Sequence, residues 1–235
     1  LSALCHLIDI HGPTISISTV EDPVEFNLPM ISQSQISNSR GFTYPKALRS
    51  LMRQDPEAIM IGEIRDAETA AIAVQAGLTG HMIFSTIHSD STAGVYARLI
   101  NMDIEPFLLA SSITGVLGLR LLRTICPGCK IQTQPNPEYL SLLPDGFAEE
   151  NEFYTGTGCD SCSQTGYLGR VAATELLNSS EAVREGVIQK LRTSKLHDIA
   201  IEQGMTTLWQ NAMAKVQRGI TSLEEVIRVI SINQL

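Results

Sequence analysis

The spacing of apolar residues changes several times along this chain, and each change marks an element. Leu1, Leu4, Leu7 and Ile8 fall on one helical stripe, which predicts the end of an amphipathic helix through Ile10. His11-Gly12-Pro13 stops that helix. Ile15 to Val20 alternates with serine and threonine as a strand does, and Glu21-Asp22-Pro23 breaks it abruptly. Residues 29–41 are polar and read as a loop. Thr43 and Pro45 open a helix through Ala47, Leu48, Leu51 and Met52 that ends at Asp55-Pro56. Ala58 to Ile61 is a short apolar run ending in Gly62-Glu63. Asp66 can cap a helix through Leu78, which Gly80 ends. Met82 to Ile87 reads as another strand, and Ser91 to Ile100 and Pro106 to Leu117 read as helices.

Strands alternating with helices predict an α/β fold with a mostly parallel sheet. Ligands of such sheets sit beyond the carboxyl ends of the strands. Three predicted strands end in polar groups, Glu21-Asp22, Glu63 and His88, so these ends are expected to converge on one cleft. The character changes after Leu122. The expected division is a core over 1–122, a Cys-, Pro- and Gly-rich insert over 123–170, and a helical part over 171–235. That last part reads as four short helices, the final one opened by Ser222 with Glu225 at capping-box spacing.

Composition narrows the function classes. Apolar residues make up 43% of the 235 positions and charged residues 18%, which fits a globular chain. The net charge of −8 supplies no extended basic face, so a nucleic-acid partner is not expected. No run reaches the roughly 20 apolar residues of a transmembrane segment, and no basic, cleavable leader is visible. The chain opens at Leu1 in mid-pattern, as a piece of something longer would.

Two constellations carry chemistry. Phosphoryl transfer needs a phosphate cradle, a magnesium ligand and a group that orients water. The cradle motif Gly-x-x-x-x-Gly-Lys-Ser/Thr occurs nowhere in these residues. Ile59 to Glu63 has the form of a Walker B strand, apolar and ending in a carboxylate; a buried strand with a surface Glu reads the same way. Glu21-Asp22-Pro23 offers further carboxylates or, more plainly, a turn. His81 and His88 stand seven residues apart, an odd strand spacing that puts them on opposite faces.

The second constellation is Cys126-Pro127-Gly128-Cys129 and Cys159-Asp160-Ser161-Cys162, separated by 29 residues. Four thiolates in two such pairs suit a closed, structural Zn2+ site. Two disulfides or a redox Cys-x-x-Cys are the alternatives. Cys5, in the first helix, is expected to be a buried thiol.

Four runs, in this order, are similar to the secretion ATPase family of type II secretion and type IV pilus assembly. They are Glu21-Asp22-Pro23-Val24-Glu25, Leu48 to Pro56, Gly62-Glu63-Ile64-Arg65-Asp66-Ala67-Glu68-Thr69-Ala70, and Leu78-Thr79-Gly80-His81 with Ser85-Thr86-Ile87-His88. They correspond to that family's Asp box, Walker B region and His box, and the resemblance runs from about Leu1 to Ile230.

The resemblance implies a RecA-like P-loop NTPase core, incomplete at its N-terminal side because the family's P-loop lies just ahead of the first helix. It implies that Glu21 is general base or positions the attacking water and that Glu63 holds Mg2+ directly or through water. Asp22, Arg65, His81 and His88 would neighbour the nucleotide. Gly62 fits the family's Gly-Glu form of the motif. Arg49, Arg53 and Arg65 are candidates for phosphate or inter-domain contacts, although a charged helix face is the plainer reading of Arg49 and Arg53.

The tetracysteine element resembles the secretion and pilus-extension branches; the retraction branch generally lacks it. Gly118-Leu119 and Ala172-Ala173 depart from the family pattern away from these sites. The implied protein is a cytoplasmic homohexameric ATPase, peripheral to the inner membrane and docked on a platform protein there. A catalytically empty zinc-bearing interaction module and a conjugation-type ATPase are the alternatives.

Overall fold

Residues 2–140, 143 and 151–230 are described by a computed structural model. Their contacts divide the chain into two units, Leu1–Val116 with Asn178–Ile199, and Leu117–Leu177 with Ala200–Leu235.

The first unit is built on strand β1, Ile17–Glu21, whose five residues are all buried. Such a strand needs neighbours on both edges. β2, Ile31–Gln35, and β3, Ala58–Ile61, supply them in parallel, with Ile17 opposite Ile31 on one side and Ala58 on the other. β4, Met82–Ser85, continues the sheet beyond β3, so the order is β2-β1-β3-β4 and every pairing is parallel. The expected α/β class with a parallel sheet is therefore present.

Helices cover this sheet by burying their apolar stripes. α1, Ser2–His11, sets Leu4 against Ile17 and Ala58. α2, Tyr44–Leu51, starts after Thr43 and turns Ala47, Leu48 and Leu51 toward Val20, Ile59 and Ile61. α3, Ala67–Leu78, adds Ile72 and Ala73 to that core. Its N-terminus is capped as expected: Asp66 accepts from the Thr69 backbone N–H at 2.8 Å and from its hydroxyl at 3.0 Å. α4, Gly94–Ile100, and α5, Pro106–Ser112, follow. α7, Glu181–Ile188, packs on α5, and the start of α8, Thr193–Glu202, returns against α7, with Leu196 close to Gly186.

Several expectations are corrected. Residues 31–35, read as loop, form strand β2; their polarity concealed a sheet-edge strand whose ladder partner is β1. The helix read from Ser91 begins at Gly94. The helix read through Leu117 ends at Ser112, because Gly115 opens strand β5, Gly115–Ile125. Leu117, Leu119 and Leu121 alternate with Gly118 and Arg120 at a strand period, of which the helix expected to Leu117 took in only the first residue. Cys5 is half-buried, not buried, because it sits at the margin of the stripe that Leu4 centres.

In the second unit β5 pairs with β8, Tyr167–Asn178. Between them the chain leaves as a lobe carrying β6, Lys130–Thr133, antiparallel to β7, Phe153–Gly156, with α6, Pro137–Leu140, between those two strands. The lobe closes at its stem, where the Cys126 N–H donates to the Gly166 carbonyl at 2.9 Å. Gly156 is required beside that stem: a Cβ there would stand 2.0 Å from the Gly166 oxygen.

α9, Leu208–Gln217, and α10, Leu223–Val229, complete the unit. They bury Leu208, Ala212, Met213, Val216, Leu223 and Val226 with Leu122, Phe153 and Ala173. Thr207 and Gln210 form a capping box on α9. On α10 only half of the expected box forms. Ser222 accepts from the Glu225 N–H, while the Glu225 carboxylate turns to Arg123 and Arg228. The four helices expected after Ser179 are all present.

Candidate nucleotide-site edge and four-cysteine cluster

A parallel sheet puts all its carboxyl ends on one edge. Glu21 ends β1, Gly62-Glu63 follows β3, and Thr86 to His88 follow β4. The Gly62 N–H donates to the Val20 carbonyl at 2.8 Å, and the Thr86 hydroxyl donates to the Gly62 carbonyl at 2.8 Å, which ties the three ends together. Gly62 also makes room, since a Cβ there would meet the Tyr44 hydroxyl at 2.9 Å.

Glu21 is buried, at 4% exposure. Its Oε1 accepts from the Thr19 hydroxyl at 2.6 Å and from the Gln33 amide at 2.9 Å. Glu63 is hydrogen-bonded by Arg65. That bond holds its carboxyl below the ordinary carboxylate range; partial burial opposes the shift and the nearby His88 adds to it. His88 Nε2 lies 4.0 Å from Glu63 Oε2, on a side chain 89% exposed. Tyr44 reaches the same edge from the start of α2. Burial raises its phenol, Asp22, Glu63 and Glu21 raise it further, and Arg65 opposes them.

The edge therefore gathers Glu21, Asp22, Glu63, Arg65 and His88. His81 stands at the opposite end of β4, where its Nδ1 lies 3.2 Å from both the Thr79 hydroxyl and the Ala76 carbonyl. Arg49 pairs with Glu68 at 2.8 Å on the exposed sides of α2 and α3, a charged helix face. Thr19, Gln33 and Tyr44 were not singled out from sequence. Tyr44 carried no signal beyond its place at a helix start. Thr19 and Gln33 become visible only once β1 and β2 are in register, which sets one opposite the other. The oxygen-donor character of Glu21, Asp22 and Glu63 suits a hard cation such as Mg2+.

Cys126, Cys129, Cys159 and Cys162 come together in the second unit, with all four Sγ atoms within 4.8 Å of one another. Individual separations are 3.8 Å for Cys126–Cys159, 3.9 Å for Cys129–Cys162 and 3.7 Å for Cys159–Cys162. Sulfurs placed tetrahedrally at about 2.3 Å from zinc are about 3.8 Å apart, so the shell has the dimensions of a closed zinc site. A disulfide needs about 2.0 Å, and all four cysteines are free.

Two of the four thiols are shifted in opposite directions. Burial pushes the Cys129 thiol up to about 11, the neighbouring thiols adding to the rise against the Gly158 N–H. Burial also works against Cys162. There the backbone N–H groups of Cys159 and Gly166, each 3.3 Å from the sulfur, outweigh it and draw the thiol down to about 6.

Comparison with known proteins adds to this geometry. The family described as "Type II/IV secretion system protein" matches residues 1–228. The type IV pilus assembly ATPase PilB of Thermus thermophilus is 42% identical over 220 residues, which are 93% of this chain and 25% of that protein. The type II secretion system ATPase E of Vibrio cholerae is 42% identical over 223 residues, 95% of this chain and 44% of that one. The chain thus spans less than half the length of these relatives.

Among solved structures, the pilus retraction motor PilT with bound ADP superposes with a TM-score of 0.65 at 24% identity, over 96% of this chain and 56% of that one. The Legionella pneumophila ATPase DotB gives 0.61 at 21%, over 89% and 50%. These two establish the likeness of fold. The match over residues 1–228 and the identity to both kinds of relative together place the chain in the Type II/IV secretion system protein family.

Proposed function

We propose that these residues form the motor portion of an ATPase that powers pilus assembly or type II protein secretion. The observation that carries this is the convergence of Glu21, Glu63, Arg65 and His88 on one edge of a parallel sheet. In this reading Glu21 accepts a proton from the attacking water while the water oxygen bonds the γ-phosphorus and the bond to the ADP oxygen breaks. Glu63, kept ionised by Arg65, would hold Mg2+, which when bound neutralises the phosphate oxygens. His88, 4.0 Å from Glu63, would sense the γ-phosphate side through that carboxylate. The Gly-x-x-x-x-Gly-Lys-Ser/Thr pattern of a phosphate cradle does not occur in these 235 residues.

The relatives divide at equal identity between pilus assembly and secretion, so the proposal is of the motor they share. A cytoplasmic homohexamer docked at the inner membrane is the assembly this reading implies; no helix among the described residues is long and apolar enough to cross a membrane. The four-cysteine lobe would hold one structural zinc, its dimensions being those of a tetrathiolate shell.

The test is ATP turnover by the longer parent protein with its phosphate loop. Glu63→Gln is expected to cut kcat by about 100-fold or more while the protein remains folded. Full turnover in that variant would overturn the assignment of Glu63.

A further inference from the structure

A buried carboxylate that must take a proton from water is useful only if one oxygen is held and the other is left free. Glu21 is arranged in this way. Both of its hydrogen bonds land on Oε1, from Thr19 at 2.6 Å and Gln33 at 2.9 Å, and no hydrogen bond among the described residues falls on Oε2.

Gln33 uses every polar atom of its amide here. Nε2 donates to Glu21 and to the Phe26 carbonyl at 3.0 Å, and Oε1 accepts from the Leu28 N–H at 2.7 Å. The reversed amide would set oxygen against two acceptors, so the orientation is unambiguous. Two residues further along the same face, Gln35 accepts from the Val24 N–H at 3.2 Å. The polar strand β2 thereby clasps the segment that follows Glu21 and ties it to the carboxylate.

We infer that Gln33, together with Thr19, is a positioning residue that locks Oε1 of Glu21 and so aims Oε2 at the attacking water. This rests on the reading of Glu21 as the base. It assigns a task to two residues outside the acidic motif, and it explains why a strand beside the core is made of Gln and Ser.

The experiment uses the longer parent protein, with kcat and KM for ATP measured on Gln33→Leu, Thr19→Val, Thr19→Ser, Glu21→Gln and the Gln33→Leu/Glu21→Gln pair. Thermal melting confirms that each is folded. Gln33→Leu and Thr19→Val are expected to lower kcat about 10- to 100-fold with KM within about twofold. Thr19→Ser, which keeps the hydroxyl in a slightly smaller side chain, should restore most of the rate lost in Thr19→Val. In the Glu21→Gln background Gln33→Leu should cause no further loss, since there is no base left to aim.

The positioning role is overturned if Glu21→Gln stops turnover while Gln33→Leu and Thr19→Val leave kcat within twofold. It is equally overturned if the loss appears in KM, or if Gln33→Leu lowers kcat as much without Glu21 as with it. Unchanged turnover in Glu21→Gln would instead remove the reading of Glu21 itself. Should Gln33→Leu fail to fold, the contrast between Thr19→Val and Thr19→Ser still decides.

Discussion

Glu225 has a side chain with no exposed surface, yet it is ionised. Burial pushes its carboxyl up, but Arg228 and Arg123 bond it at 2.7 to 3.0 Å and bring it down to about 2 from the ordinary 4.5. Arg123 is itself covered by the Tyr167 ring, 4.1 Å from its centroid, and Tyr167 shares a 2.7 Å hydrogen bond with Ser222. Because the folded value is depressed, the carboxylate stabilises the second unit above the unfolded value, and that contribution is lost as pH falls from about 4.5 toward 2.

Glu225→Gln should cost about 2 kcal/mol at neutral pH, below the usual figure for a broken buried pair because both guanidinium groups still reach water. It should also flatten the loss of stability between pH 4.5 and 2; urea unfolding across that range measures both effects. A Ser with Glu three residues later was legible in the sequence as a helix start. The buried ion cluster was not, since Arg123 lies about a hundred residues away and nothing local announces it.

At the scale of elements, local chemistry decided what could be read ahead of the structure. The Asp66 cap was readable because its partner is three residues on, and Asp66→Ala should lower stability by about 1 kcal/mol, with Asp66→Asn largely retaining it, in denaturant melts of the first unit. β2 was not readable. Its Ile-Ser-Gln-Ser-Gln pattern is that of a loop until β1 supplies its ladder and Glu21 its reason. β5 was missed for another cause: the helix expected from Pro106 ran on to Leu117, and most of the alternation that marks the strand lies beyond that residue.

The gathering of the four cysteines was legible, because metal chemistry prescribes spacing more tightly than packing does; the strands β6 and β7 beside them were not. Cys159→Ser is expected to reduce zinc from about one per chain to a small fraction and to unfold the lobe, read by elemental analysis and protease sensitivity. Protein purified without chelator that carries no zinc would remove the metal from the proposal.

For the whole molecule, the separation is between an acidic edge and a phosphate cradle. Carboxylates that orient water do nothing for ATP without the amides and lysine that hold its phosphates. The 235 residues alone are therefore expected to show no ATP hydrolysis above background, while the same residues following a phosphate loop hydrolyse it. Steady-state phosphate release compares the two directly. The strand-end acids could be read from sequence because charge at the end of an apolar run stands out. The place of His81 ahead of β4 was readable too, since it precedes the expected strand; its contacts with Thr79 and Ala76 needed the structure.

The stem of the lobe has one further consequence, and it is genetic. Cys126 and Gly166 are joined by a single backbone hydrogen bond, so the chain leaves the β5–β8 ladder and re-enters it at nearly the same point. An in-frame loss or gain of everything between them shifts no residue of that ladder out of register. The structural cost falls on the helical core, which would lose Phe153 and, packed against that core, Tyr139, Leu140 and Leu143. The four-cysteine lobe can therefore be removed or added as one segment without moving the two strands that carry it.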